Sequence, residues 1–178
     1  MPITAEGPIS LPLYKLAELL AETQECQEWC GLTYPDASAA TTLIDDANTK
    51  HIWMPCTSEE ITRLIDRMPV FAVGQSSPWN LQSRSAGASN WLRPAGAAEL
   101  LIADIDRYPN DQEASGREFQ NRVGRLLSQM GQLSGQGERL DFQSIDQVLA
   151  PIVCDQEEEA SAGARWWIAL YTIGWGIR

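Results

Sequence analysis

The sequence predicts an α+β fold: a mixed, mainly antiparallel sheet with a helix packed on one face and extra helices at the N-terminus. Three observations carry this. Phe119, Val123, Leu126, Leu127 and Met130 recur at the spacing of one helix face. Two long extended stretches, 140–154 and 165–176, follow that helix and are joined by an acidic segment, which suits an antiparallel hairpin. Near the start, Leu13, Leu16, Leu19 and Leu20 form a second apolar stripe at spacings of three and four. At 178 residues the chain suits a single domain, 1–178, with one core; residues 1–32 form its N-terminal helical segment.

In order, Pro12 sits where a first helical turn tolerates proline. Thr23 is placed to cap a second short helix, 24–30, which Gly31 stops. The polar stretch 33–50 is expected to be mostly loop. Residues 51–54 read as a short strand, and 57–67 as a helix with Glu59 and Glu60 in its first turn. Residues 69–74 read as a strand. Residues 75–97 hold many Ser, Gly, Pro and Asn but also Trp79, Leu81, Trp91 and Leu92. That mixture predicts a protruding hairpin with its tip near 85–89, rather than a passive linker. Residues 98–107 read as a strand with Leu101, Ala103 and Ile105 on one face. A turn over 109–116 precedes the helix 117–130, which Gly131 is expected to end. The strand 140–154 is expected to bend or bulge near Pro151.

Chemistry is sparse. His51 is the only histidine and lies in an expected strand, with no serine nucleophile elbow in the chain. It reads as a structural or surface residue. Cys26 and Cys30 share a helix face, and with His51 and Cys56 they would make up a zinc ligand set. The spacing is not that of a zinc knuckle, and buried reduced thiols are the simpler reading. No metal or cofactor is expected. Phosphate-binding glycine motifs are absent, and Gly131, Gly135 and Gly137 follow a helix instead of preceding one. Asp104 and Asp106 alternate with Ala103 and Ile105, as on a half-solvated strand.

The chain carries 24 Asp and Glu against 13 Lys and Arg, for a formal net charge of −11. No basic stripe suited to gripping nucleic acid stands out. Residues 1–10 lack the basic start and apolar core of a secretory leader, and no apolar run approaches the roughly 20 residues that span a bilayer. Synthesis in a cytoplasm is expected.

The last strand is the most informative element. One face carries Trp167, Ala169, Tyr171, Ile173 and Trp175; the other carries Trp166, Ile168, Leu170, Thr172 and Gly174. A half-solvated strand would alternate apolar and polar residues, and this one is apolar on both faces. One face is expected under the helix 117–130. The other needs a cover, either the N-terminal helices or another subunit.

Taken together, the helix 117–130, LSGQGERLDFQSI (133–145), CDQEEEASAG (154–163) and RWWIALYTIGWG (165–176) resemble the tail terminator and tail completion proteins of tailed bacteriophages and prophages. PVFAVG (69–74) and ELLIADIDR (99–107) suit the first strands of that family. The resemblance implies a non-enzymatic virion protein, made in the bacterial host cytoplasm. It implies a ring, commonly hexameric, at the head-proximal end of the tail, as terminator or head–tail joining protein. Its partners would be copies of itself, the tail tube protein and the head connector or neck proteins, with DNA only as passing cargo and no membrane. On that reading Trp79, Trp91, Trp166, Ile168 and Leu170 are candidate oligomer-interface residues. Asp155, Glu157, Glu158 and Glu159 would form a loop facing the lumen or the docking surface. The alternatives are an interaction or adaptor domain unrelated to phage, and a small hydrolase-like enzyme with a site between sheet and helix.

Overall fold

The computed structural model describes residues 10–54, 67–86, 89–108, 110–136, 140–155 and 165–176. Among the described residues three α-helices lie in order: α1 (Ser10–Ala21), α2 (Gln24–Trp29) and α3 (Gln112–Leu133). Five strands form one sheet: β1 (Ile52–Trp53), β2 (Val70–Ala86), β3 (Ser89–Ile105), β4 (Asp141–Asp155) and β5 (Arg165–Gly176). The spatial order is β1-β2-β3-β5-β4. Only β1 with β2 is parallel; the other three pairings are antiparallel. This is the α+β architecture with a mixed, mainly antiparallel sheet.

Local chemistry explains the helix boundaries. Thr23 caps α2: its hydroxyl accepts from the Cys26 N–H at 3.3 Å and donates to the Leu20 carbonyl at 2.7 Å. Gly31 follows at φ +81°, a left-handed turn that glycine adopts without a Cβ clash. Asp111 caps α3 by accepting from the Ala114 N–H at 3.0 Å, so α3 starts at Gln112. The expected turn over 109–116 is corrected accordingly: its second half is helix. Gly131 does not end α3 either. It is exposed and stays helical, and the left-handed turn is made by Gly135 at φ +72°. Within 33–50, expected as loop, residues Thr41–Asp45 form a π-helical turn that buries Leu43 and Ile44. The helix expected over 57–67 lies outside the described residues except for Arg67.

The core sits between the helices and one sheet face. Leu16, Leu20, Phe119, Leu126 and Met130 from the helices join Phe71, Leu100, Ile102 and Ile173 from the sheet in a single buried cluster. The β5 residues Trp167, Ala169, Tyr171, Ile173 and Trp175 belong to it, as expected from their alternation. Trp29 of α2 packs edge-on against Phe71 and Phe119, whose centroids lie at 5.5 and 5.9 Å, while Phe119 stacks on Trp167. Glu25 accepts two hydrogen bonds from Arg125 and so ties α2 to α3. All three helices therefore form one layer on one face. The N-terminal helices pack on the same face as α3 and not on the opposite one.

Candidate functional site

The face opposite the helices follows from the strand register. Across it, one row reads Glu99, Thr172, Asp146; the next reads Ala72, Leu101, Leu170, Leu149; the next reads Val70, Ala103, Ile168, Ile152. Trp166 closes this face between Ile105 and Cys154. Val70 and Ala103 are fully buried, in a small cluster with Trp53, Met68, Leu101 and Trp166. Toward the β4 side the cover thins. Ile168 and Leu170 are only half-buried, and Ile152 is 43% exposed. Ile105 and Val148 are also exposed. Trp53 and Trp166 each bury an indole N–H that has no hydrogen-bond acceptor among the described residues. A buried donor left unpaired costs about 1–3 kcal/mol.

The second feature is the long β2–β3 hairpin. β5 accompanies β3 only from Ala95 to Ile105. Beyond that, Leu81 through Ala86 pair with Ser89 through Pro94 and with no other described strand. At about 3.4 Å per residue, this arm reaches about 20 Å past the shared sheet. The register slips between Gln75 and Ser77 and again between Ser77 and Asn80, so the ribbon bends where it leaves the sheet. The segment expected as a hairpin, 75–97, is paired in this way, with Ala86 opposite Ser89 across its tip.

The sequence-derived interface residues fall on these two features. Trp166, Ile168 and Leu170 share the uncovered face, half-buried. Trp79 lies in the slipped stretch of β2, and Trp91 is opposite Arg84 in the arm. The two groups belong to different elements, β5 on one hand and the β2–β3 hairpin on the other. Asp155 is the last residue of β4, paired with Arg165. Glu157, Glu158 and Glu159 lie outside the described residues. The sequence reading missed Leu149 and Ile152 as members of the apolar face. Their alternation is broken by register slips between Gln147 and Leu149 and between Leu149 and Ile152, near Pro151. Only the pairing with β5 reveals their side.

The carboxylates of β3 are corrected. Asp104 and Asp106 are buried, 4% and 7% exposed, where a solvated face was expected. Asp104 accepts from the Trp29 indole at 2.7 Å, from the Ile105 N–H at 2.9 Å and from Arg107 at 3.2 Å. Asp106 accepts from the Ser115 hydroxyl, which in turn accepts from the Trp167 indole at 2.9 Å. Hydrogen bonds to both oxygens of Asp104 and to Oδ1 of Asp106 offset the burial, while Asp106 Oδ2 is buried with no hydrogen-bond partner among the described residues. The network anchors β3 to α2, α3 and β5.

His51 places Nδ1 2.7 Å from the Pro69 carbonyl, a contact that joins the entry of β1 to the entry of β2. Burial first, and then the neighbouring Cys30 thiol, push the Cys26 thiol well above its ordinary pKa. Metal ligation needs the thiolate. Cys56 is outside the described residues. Among those described, no group of three or more His, Cys, Asp or Glu is placed to hold a metal ion, and no helix is long and apolar enough to cross a membrane.

No protein-family model matches the chain, and no curated protein is similar to it in sequence.

Proposed function

We propose that this chain is a structural virion protein of a tailed phage or prophage, forming a ring at the head-proximal end of the tail as a terminator or head–tail joining protein. The observation that carries the reading is the second face of β5. Ile168 and Leu170 are half-buried on the sheet face opposite α1, α2 and α3, and no helix among the described residues packs on them. An apolar sheet face is normally buried against another layer. In a ring the neighbouring subunit supplies it, through a heterologous contact of one patch with a different patch. The sequence resemblance supports the same role, as does the order of elements: helix, strands, helix, two closing strands. The net charge of −11 suits a wall past which DNA slides without sticking.

The test is electron microscopy of the purified protein, alone and mixed with tail tubes of the particle that encodes it. The expected outcome is a ring with a central opening, or a cap at one end of the tube. A protein that stays monomeric and leaves both tube ends bare would overturn the proposal.

A further inference from the structure

We infer that the β2–β3 arm of one copy docks on the sheet face opposite α1, α2 and α3 of a second copy, which no described helix covers; this rests on the ring reading above and assigns its contact. Charge carries the choice of occupant. Between Asp66 and Glu99 the sequence has no Asp or Glu, and the arm segment 75–97 carries Arg84 and Arg93 on a chain whose net charge is −11. The same segment supplies Trp79, Leu81, Trp91 and Leu92. The uncovered face has the complementary make-up. Leu101, Leu149, Ile152, Ile168 and Leu170 make its apolar centre, and the exposed carboxylates Glu99 and Asp146 flank Thr172 in the adjacent row.

The arm also has a physical need for a partner. A two-stranded ribbon standing alone is marginal in water. β1 covers only Phe71 and Ala72 of β2, so the outer edge of β2 runs on without a strand neighbour among the described residues. The arm continues about 20 Å past the last residue that β5 accompanies. Because arm and face are different patches, each copy offers both, and the contact propagates from subunit to subunit. Such a chain of contacts closes when the rotation per subunit permits it.

Photo-crosslinking tests this directly. A benzoylphenylalanine replaces Trp91, and labelled and unlabelled copies are mixed before assembly. The expected product joins the arm of one copy to a β4 or β5 peptide of another. A product confined to one copy, or one joined to DNA, would overturn the docking while leaving the ring itself standing. Charge reversal gives the second readout. Arg84→Glu with Arg93→Glu should weaken assembly by about tenfold or more, as should Glu99→Lys with Asp146→Lys. All four changes together should recover most of the loss. Circular dichroism melts of the variants separate a lost contact from a lost fold. If the reversals leave the rings intact, the arm contact is wrong; if the wild-type chain forms no ring, the reading beneath it is wrong.

Discussion

At the scale of single residues, buried polar atoms are placed by partners far away in the chain. Asp104 was legible as a carboxylate on a strand, but its burial was not, because its indole donor, Trp29, comes from α2. Trp29→Phe should keep the ring packing on Phe71 and Phe119 and leave Asp104 short of one donor. The expected loss is about 1–3 kcal/mol in chemical denaturation. Two tyrosines set the response to alkali. Burial first, then the carboxylates of Asp45 and Glu18, raise the pKa of Tyr14; burial raises that of Tyr171 against the hydrogen bond from Gln147. A raised folded-state pKa means that the folded protein holds the phenol proton more tightly than the unfolded chain does. The stability tied to that proton is intact below pH about 10, the unfolded value, and is lost as pH rises through the higher folded value. The variant carrying Tyr14→Phe and Tyr171→Phe should therefore show a shallower fall in unfolding free energy above pH about 10 than the parent, measured by urea titration across that range.

At the scale of elements, α3 contains a built-in comparison. Gly116, Gly124 and Gly131 all lie in the helix, where alanine is preferred over glycine by about 1 kcal/mol. A Cβ on Gly124 or Gly131 would meet nothing within 4 Å. A Cβ on Gly116 would fall 2.8 Å from Cη2 of Trp167. That ring has little room to move, because its N–H is held by Ser115 and its face stacks on Phe119. Gly124→Ala and Gly131→Ala should each stabilise by about 0.5–1 kcal/mol. Gly116→Ala should destabilise by about 1–2 kcal/mol. Thermal melts read all three, and the opposite signs are the expected result. The apolar stripe of α3 and the cap of α2 were legible because both are written within a few residues. The start of α3 was missed because Gly116 reads as a turn residue until Trp167 is seen against it. The hairpin over 75–97 was legible from its large apolar residues among turn formers, while the register slips at its base were not, because they are set by the pairing of two strands.

At the scale of the whole molecule, the fold class and the two-faced nature of β5 were legible. The side taken by the N-terminal helices was not, since an amphipathic helix encodes its own apolar face and not the sheet face that it will meet. The candidate docking face was half legible: Trp166, Ile168 and Leu170 followed from alternation, while Leu149 and Ile152 needed the register. One further prediction belongs here. Replacing Asp155, Glu157, Glu158 and Glu159 with serine should leave the unfolding free energy within about 0.5 kcal/mol, yet impair joining of tails to heads in a complementation assay. Beyond assembly, the sheet order has a consequence for folding. β5 comes after the other four strands in the chain but is inserted between β3 and β4, pairing with both. A polypeptide ending before Arg165 would hold two separate strand edges and a core lacking Trp167, Tyr171, Ile173 and Trp175. That topology predicts a cooperative transition that depends on β5. Residues 1–164 alone should melt without cooperativity, and adding a synthetic peptide of Arg165–Gly176 should restore a cooperative transition: the final strand acts as the keystone that converts two half-sheets into one.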